Sequence, residues 1–284
     1  MYEVPPIIPV ADHKMAIKSG LSRIFAKVPC GAGWATYPYN TLTLTSHFQP
    51  IFEVSSQSCI GYEALLRATN FTGQALRPDT VFSLAANHEE SIHMDWLCRA
   101  LHLRNFVNLG QQDHALFLNI FPEAAVLDAH HPELVESLLK FYQADPKNVA
   151  IEILETGIQD DSQLIDAVAL YKALGCKVAL DDFGIGYSNF DRIWRLQPDF
   201  VKLDGSLMRA AGRDESARHV FLNIVKLIHE CGAQVVVEGV EERNEAHIAL
   251  DSGAAFLQGF YFAKPSIVAI QARDAQSLFA DIAR

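Results

Sequence analysis

The sequence lacks most of the features that mark secreted or membrane-spanning proteins. Its five cysteines include no C-x-x-C pair, which argues against a disulfide scaffold and indicates a reducing compartment. No run of about 18 apolar residues is present, so no transmembrane helix is predicted. The opening residues MYEVPPIIPVADHK lack a basic start followed by an apolar run, and predict no secretory signal. These absences together predict a cytoplasmic protein without membrane insertion.

Positive charge is also scarce, because 23 Lys and Arg residues face 34 Asp and Glu residues and leave a net charge of −11. Long nucleic acids bind basic surfaces, so this balance argues against a polymeric nucleic-acid partner. It does not exclude a small phosphate ligand, since acidic residues can hold divalent metals that in turn hold phosphate. The 11 histidines show no ligand spacing, and we interpret them as surface or core residues.

The first 40 residues differ in composition from the remainder of the chain. They contain five of the 12 prolines and leave room for one short helix at residues 14–27. Residues 1–40 are therefore predicted to be an N-terminal extension. Two interpretations stay open: a segment that packs on the main domain, a dimer partner or another protein, and a partly ordered tail.

From residue 41 onward, short apolar segments alternate with segments of helical spacing. Continuous apolar runs such as VAIEIL are typical of strands buried on both faces. Eight strands in about 230 residues favour an α/β fold of the TIM-like (β/α)8 type over residues 41–268, followed by a C-terminal helix at residues 269–284. The predicted strands are Leu44–Glu53, Ser58–Arg67, Leu116–Ile120, Val149–Leu154, Lys177–Asp182, Phe200–Asp204, Gln234–Glu238 and Ala255–Gly259. The predicted helices are Asp79–Val107, Pro132–Tyr142, Asp161–Leu174, Asp214–Cys231 and Glu241–Ser252.

Polar side chains recur in or at the end of most of these strands. One such carboxylate would ordinarily be a helix cap or an ion-pair partner. In a parallel barrel, however, the strand ends converge on one face, and several carboxylates packed there would repel one another unless cations neutralised them. Hard oxygen ligands select Mg²⁺, Mn²⁺ or Ca²⁺, and consecutive aspartates can serve two ions. The residues concerned are Glu63, Asn119, Glu152, Asp181, Asp182, Lys202 and Glu238.

Eight motifs in order make the sequence from residue 41 to 268 resemble the EAL domain of bacterial cyclic di-GMP phosphodiesterases. They are FQPI (Phe48–Ile51), YEALLR (Tyr62–Arg67), LNI (Leu118–Ile120), IEILE (Ile151–Glu155), DDFGIGYSN (Asp181–Asn189), VKLD (Val201–Asp204), VVEGVE (Val236–Glu241) and LQGFYFAKP (Leu257–Pro265). The resemblance implies a barrel whose first strand runs antiparallel to the others. It also implies a magnesium-dependent hydrolase of bacterial signal transduction that converts cyclic di-GMP to linear pGpG.

The resemblance also implies roles for individual residues. One metal ion would be held by Glu63, Asn119, Glu152 and Asp181, and a second by Asp181, Asp182 and Glu238. Both would be Mg²⁺ or Mn²⁺, with Ca²⁺ expected to bind and inhibit. Lys202 and Glu238 would fix the attacking water, and Glu155 would brace the loop Asp182–Asn189 near a homodimer contact. The implied substrate contacts are Gln49, Leu65, Arg67, Gln258 and Pro265.

Two positions depart from the family pattern. Ile185 stands where the family usually has threonine, and Phe121 where it usually has a small polar residue. Loss of the hydroxyl at Ile185 could loosen the loop that joins the metals to the dimer contact, or it could be neutral. Phe121 could simply add packing at the barrel rim. Because no metal ligand is missing, we favour an active phosphodiesterase. The alternatives are a cyclic di-GMP receptor that binds without cutting, and an interaction module that regulates a partner without nucleotide.

Overall fold

Eight strands close into a barrel in which one strand runs against the other seven. The computed structural model describes residues 20–154, 161–184, 190–270 and 272–282. The closed barrel and the antiparallel first strand confirm the predicted fold class. In order around the barrel the strands are β2 (Leu42–Glu53), β3 (Ser58–Asn70), β5 (Ala115–Ile120), β6 (Val149–Leu154), β7 (Lys177–Phe183), β8 (Phe200–Leu203), β9 (Gln234–Val237) and β10 (Phe256–Leu257), which pairs back with β2.

Helices follow the strands and cover the outside of the barrel, and two short strands extend it. The strands β1 (Tyr37–Tyr39) and β4 (Ala75–Leu76) pair with β2 and β3. The helices are α1 (residues 20–27), α2 (Pro78–Phe82), α3 (His88–Leu109), α4 (Pro122–His130), α5 (Pro132–Phe141), α6 (Asp161–Ala173), α7 (Phe190–Leu196), α8 (Gly205–Arg213), α9 (Glu215–Glu230), α10 (Arg243–Asp251) and α11 (Ala272–Ile282). No helix among the described residues is long and apolar enough to cross a membrane.

The barrel interior is filled by one apolar layer to which seven strands contribute one buried residue each. The bulky rings of Phe117 and Phe200 lie 5.2 Å apart between centroids, while Ala150 and Ala179 leave space for them. Two small residues next to each other thus make room for the large rings on either side of them. The full layer is Ile51, Phe117, Ala150, Ala179, Phe200, Val236 and Phe256.

The prediction of a single helix over Asp79–Val107 is wrong. The chain forms α2 and α3 instead, and they are separated by residues 83–87. Asn87 adopts an extended conformation, and its side chain accepts a hydrogen bond from the backbone N–H of Glu90. This cap satisfies one of the unpaired N–H groups at the start of α3, which explains why a new helix begins there.

The described part of the N-terminal extension packs against the main domain. Leu21, Ile24 and Val28 are buried in the hydrophobic core. The Asn105 side chain accepts from the Ala35 backbone N–H at 2.7 Å and donates to the Ala35 carbonyl at 3.0 Å. Residues 20–36 are therefore held on α3. The proposed domain boundary at residue 40 stays a prediction, and residues 1–19 lie outside the described residues.

Candidate active site

The polar residues of the site form a second layer, two residues along each strand from the apolar layer. Side chains two residues apart on a strand point to the same face. Asn119 therefore follows Phe117, and Glu152 follows Ala150, into the barrel mouth. Since β2 runs in the opposite direction, Gln49 precedes Ile51 instead of following it. The same offset relates Asp181 to Ala179, Lys202 to Phe200, Glu238 to Val236 and Gln258 to Phe256.

Glu63 reaches this layer from β3, two residues beyond Gly61. A Cβ at Gly61 would lie 2.6 Å from the carbonyl oxygen of Ala115 on β5. Real Cβ atoms do not approach carbonyl oxygens so closely, so only glycine lets β3 pair with β5 at this register. The glycine thereby helps to set the position of Glu63 opposite its neighbours.

A single lysine lies at the centre of the layer. Lys202 is 1% exposed, and its Nζ lies 2.6 Å from Glu152 Oε1 and 2.7 Å from Glu238 Oε1. The same atom lies 3.1 Å from Asp181 Oδ1 and 3.4 Å from Glu63 Oε2. Burial opposes the lysine charge, but the surrounding carboxylates, Asp181 foremost, raise the pKa of Lys202 well above its usual range. The ammonium therefore stays protonated and neutralises part of the carboxylate charge.

Amide side chains orient Glu63 within this cluster. Asn119 Nδ2 donates to Glu63 Oε1 at 3.0 Å, and Gln258 Nε2 donates to Glu63 Oε2 at 2.7 Å. Gln49 Nε2 donates to the Ala263 carbonyl at 3.2 Å, which joins β2 to the segment after β10. Hydrogen bonds to both oxygens hold the Glu63 carboxylate in one orientation and stabilise its charge.

The carboxylates are more numerous than their protein cations can neutralise. Burial raises the pKa of Glu152, and it raises the pKa of Glu238 to about 8. Burial and then the charge of Asp181 raise the pKa of Asp182 to about 6. Asp182 also has a φ of 56°, in the left-handed region that strains a non-glycine residue. Such strain persists where the surrounding structure and the function of a site require it.

The donor set fits divalent metal ions. Ligand oxygens of Asp181, Asp182 and Glu238 all lie within 4.8 Å of one another. The buried Oε2 of Glu152 has no hydrogen-bond partner, although burying an unpaired carboxylate oxygen is costly. Hard carboxylate and amide oxygens are the ligands that Mg²⁺ and Mn²⁺ prefer. A cation beside these oxygens would supply both the missing charge and the missing partner.

The cluster forms the floor of a cleft of about 320 Å³. Apart from three glycines, its wall includes four residues that the sequence-based site prediction did not assign: Asp204, Arg209, Glu241 and Phe260. Asp204 and Glu241 lie just beyond the ends of β8 and β9, so the rule applied to the other strand ends could have identified them. Asp204 also accepts from the Ser206 N–H at 2.7 Å and caps α8. No comparable sequence signal points to Arg209.

The remaining predicted residues fall into three groups. Leu65 and Arg67 on β3 and Pro265 after β10 are half-buried, and none of them lines the cleft itself. Arg67 Nη1 donates to the Leu66 carbonyl at 2.9 Å. Glu155 and Ile185 lie outside the described residues. Phe121 packs on Phe82, with 4.4 Å between ring centroids, in line with its interpretation as rim packing.

Sequence comparison identifies the family. The EAL domain model matches residues 40–265. An uncharacterised EAL-domain protein of Bacillus subtilis, YkuI, is 31% identical over 227 residues, covering 78% of this chain and 54% of the relative. The cyclic di-GMP phosphodiesterase RocR of Pseudomonas aeruginosa is 27% identical over 224 residues, covering 78% of this chain and 57% of the relative. The chain thus spans about half the length of these curated relatives.

Solved structures give the same result for the fold. A standalone EAL protein of Vibrio cholerae in its cyclic di-GMP-bound form superposes with a TM-score of 0.69 at 30% identity, covering 78% of this chain and 92% of the other. Klebsiella pneumoniae BlrP1 in a complex with manganese and cyclic di-GMP has a TM-score of 0.70 at 26% identity, covering 91% and 68%. The YkuI complex with cyclic di-GMP and calcium has a TM-score of 0.72 at 26% identity, covering 84% and 60%. The barrel, the layer of acids at its mouth and the matched residues together show that this chain belongs to the EAL-domain family.

Proposed function

We propose that this chain is a metal-dependent phosphodiesterase that hydrolyses cyclic di-GMP to linear pGpG in bacterial second-messenger signalling. The observation that carries the proposal is the buried cluster of Glu63, Glu152, Asp181 and Glu238 around Lys202, on the floor of an open cleft. Relatives with the same barrel bind cyclic di-GMP together with manganese or calcium. An acidic floor alone would repel a phosphodiester, so a site of this kind needs cations to accept one.

The ligand oxygens divide into two sets that share one residue. Glu63, Asn119, Glu152 and Asp181 would hold one ion, and Asp181, Asp182 and Glu238 would hold the second. Divalent cations at such a site supply Lewis acidity and lower the pKa of bound water. The strained backbone at Asp182 serves the arrangement, since it turns two consecutive carboxylates toward one mouth.

The protein side chains then position water and substrate. Lys202 and Glu238 lie 2.7 Å apart and together would hold the attacking water by one donor and one acceptor. Water adds to phosphorus, one P–O ester bond of the ring breaks, and the leaving oxygen takes a proton. Preorganised charge of this kind stabilises the transition state because little reorientation is needed during reaction.

Substrate would be held by Gln49, Leu65, Arg67, Gln258 and Pro265. Arg67 supplies a planar guanidinium that suits a phosphate oxygen pair. Its charge would act on the substrate in the ground state and the transition state alike, so Arg67→Ala is expected to raise KM more than it lowers kcat. Unchanged affinity for cyclic di-GMP in this variant would remove Arg67 from the substrate site.

Two further elements of the proposal concern assembly and location. We propose a homodimer formed through the barrel, with Glu155 bracing the loop Asp182–Asn189 near the contact, and an enzyme that acts in the cytoplasm. Residues 1–40 would offer a surface for a protein partner. Sedimentation of the purified chain tests the dimer, and a monomer at all concentrations would exclude it.

Incubation with cyclic di-GMP tests the activity directly. Chromatography should show pGpG accumulating with Mg²⁺ or Mn²⁺, and no product after chelation. Calcium is expected to bind and inhibit, because it accepts irregular coordination that suits in-line displacement poorly. Turnover after complete chelation would contradict a metal mechanism. Tight binding without turnover in Mg²⁺ or Mn²⁺ would instead identify a receptor.

A further inference from the structure

The proposed substrate contacts lie mostly on one side of the barrel mouth. Leu65 and Arg67 belong to β3, and Pro265 lies beside Ser266, which bridges to Phe48 on β2. Cyclic di-GMP is a ring with two guanines, one on each side of its pair of phosphates. If one phosphate lies over the acidic cluster, the two bases extend toward opposite sides of the mouth. The second side is built by the ends of β8, β9 and β10.

Arg209 on α8 faces the cleft from this second side. Its Nη1 lies 2.9 Å from the position of a Cβ on Gly205 and 3.6 Å from that of a Cβ on Gly239. A Cβ on Gly239 would lie 2.7 Å from the Gly205 Cα, so the two glycines bring the start of α8 and the β9–α10 loop into direct contact. The guanidinium lies over this glycine pair, and the Arg209 side chain is exposed.

Arg209 is exposed and makes no hydrogen bond or ion pair with the described residues, although Asp204 and Glu241 line the same cleft. An arginine within an acidic cleft would ordinarily pair with a carboxylate. Arg209 instead lines the cleft with its guanidinium unpaired among the described residues. Arg209 is therefore a donor group available to a ligand.

Phe260 lies on the same wall of the cleft. Gly259, which precedes it, packs so tightly that a Cβ there would lie 2.1 Å from the Val240 carbonyl oxygen, next to Gly239. Phe260 is 51% exposed, whereas Phe262 is buried in the core. Tyr261 donates its hydroxyl to Asp281 at 3.1 Å. Of these three aromatic residues Phe260 lines the cleft, and its ring is about half exposed, with Lys264 Nζ 5.5 Å from the ring centroid.

We propose that Arg209 and Phe260 form a guanine-binding corner for the base that lies away from Leu65 and Arg67. This inference rests on the proposed function and adds a specificity determinant to it. Phe260 stacks on the base, and Arg209 donates two hydrogen bonds to the O6 and N7 acceptors of guanine. Adenine presents an amino donor in place of O6, so the same guanidinium disfavours it.

Binding measurements with four variants test the corner. Calorimetry in calcium buffer follows cyclic di-GMP and cyclic GMP–AMP, since YkuI was solved with intact cyclic di-GMP and calcium. Arg209→Gln is expected to weaken cyclic di-GMP binding roughly 10- to 100-fold and to abolish the preference over cyclic GMP–AMP. Arg213→Gln removes the same charge one turn further along α8 and is the matched control. Phe260→Ala should weaken binding roughly 5- to 100-fold, and Phe260→Tyr should restore it.

The possible outcomes distinguish a failure of the guanine-binding corner from a failure of the proposed function. If the wild-type chain binds cyclic di-GMP but Arg209→Gln behaves like Arg213→Gln, the corner is wrong and the proposed function stands. Equal wild-type affinity for the two nucleotides would also overturn it. If the wild-type chain neither binds nor cleaves cyclic di-GMP, the proposed function and the corner fail together. With Mg²⁺, Arg209→Gln should raise KM and leave kcat within about threefold, as expected for ground-state binding.

Discussion

Two buried ion clusters among the described residues differ in how many carboxylates surround the central cation. The first surrounds Lys202 at the barrel mouth, with four carboxylates and an open cleft above it. The second surrounds Arg99 on the outside of the barrel, between α3, α4 and α6. Comparing them shows which features make a buried cluster a functional site and which make it part of the framework.

The Arg99 cluster binds its own elements together. Arg99 lies 2.5 Å from Asp95 one turn before it on α3, and 2.7 Å from Asp128 on α4. Tyr171 on α6 donates its hydroxyl to Asp128 at 2.6 Å. Asp95 in turn accepts from the Phe121 N–H at 2.9 Å, at the start of α4. These contacts join three helices, and Arg99, Asp95 and Asp128 do not line the cleft above Lys202.

The Lys202 cluster, by contrast, has more carboxylates than the described residues can neutralise. These carboxylates come from strand ends that converge only because the barrel closes. Glu152 Oε2 lacks a partner here, as Asp128 Oδ1 does in the Arg99 cluster, so the difference lies in the four carboxylates that surround one cation beneath an open cleft. An excess of carboxylates beneath an open cleft indicates a site for a ligand. Charge shared between donors and acceptors of neighbouring helices indicates structural support. Four predictions test this distinction.

Glu63→Ala should have the largest effect, on turnover. Removal of a metal ligand is expected to lower kcat for cyclic di-GMP at least about a thousandfold, because Lewis acidity supplies several kcal/mol of transition-state stabilisation. Rates with Mg²⁺ measure it, and Glu136→Ala on the exposed face of α5 is the control. Near-normal rates for the Glu63 variant would show that this cluster is structural too.

Replacing the central lysine or arginine should destabilise the folded protein in both cases. The two variants should differ in how far Mg²⁺ restores that stability. Lys202→Met and Arg99→Met each leave buried carboxylates uncompensated, at a cost of about 3–5 kcal/mol in the free energy of unfolding. Millimolar Mg²⁺ should restore much of this loss for Lys202→Met, because the ion binds the same oxygens. Thermal melts with and without Mg²⁺ make the comparison. Equal rescue of both variants by Mg²⁺ would show that the two clusters do not differ in metal binding.

The Arg99 cluster should leave a signature in the pH dependence of stability. Burial raises the pKa of Asp95 to about 6, from an ordinary value of 3.8, with Arg99 acting in the opposite direction. The folded chain therefore holds this proton more tightly than the unfolded chain. The stability it contributes is lost as pH rises from about 4 to about 6, up to about 3 kcal/mol. Urea denaturation across this range should show the slope, and Asp95→Asn should reduce it by the part that Asp95 contributes, since the pKa of Asp182 is also raised to about 6.

The matched control for this slope is Asp113→Asn, because Asp113 is exposed and lies outside both clusters. It should preserve the wild-type slope. If Asp95→Asn follows the wild-type curve throughout, the slope does not come from this carboxyl.

Tyr171→Phe should have the smallest effect. Loss of the hydroxyl removes one donor from Asp128 and should lower stability by about 1–2 kcal/mol, with no change in kcat or in the Mg²⁺ requirement. Tyr39→Phe loses a bond to Glu90 near the surface and should cost less. Denaturation midpoints and steady-state rates measure both variants. A raised Mg²⁺ requirement in Tyr171→Phe would show that the Arg99 cluster acts on the metal site.

The pattern of apolar residues along the chain predicted much of the secondary structure. All eight barrel strands were predicted to within a few residues, and several of them are continuous apolar runs, as expected for strands buried on both faces. The short helices α4, α7 and α8 were not predicted, since nine or fewer residues carry little helical periodicity. Family resemblance, rather than pattern, supplied the antiparallel direction of the first strand.

The sequence by itself determined the fold class, the family and the residues of the acidic layer, because each depends on residue types at fixed spacing along a strand. Tertiary structure alone decided which groups meet. Lys202 lies among four carboxylates only because barrel closure brings β3, β6, β7, β8 and β9 to one mouth. Arg209 reaches the cleft over two glycines that are 34 residues apart, Gly205 and Gly239. The Arg99 cluster likewise joins three helices whose side chains meet only after the barrel has closed, and such long-range contacts leave no periodic signal in a sequence.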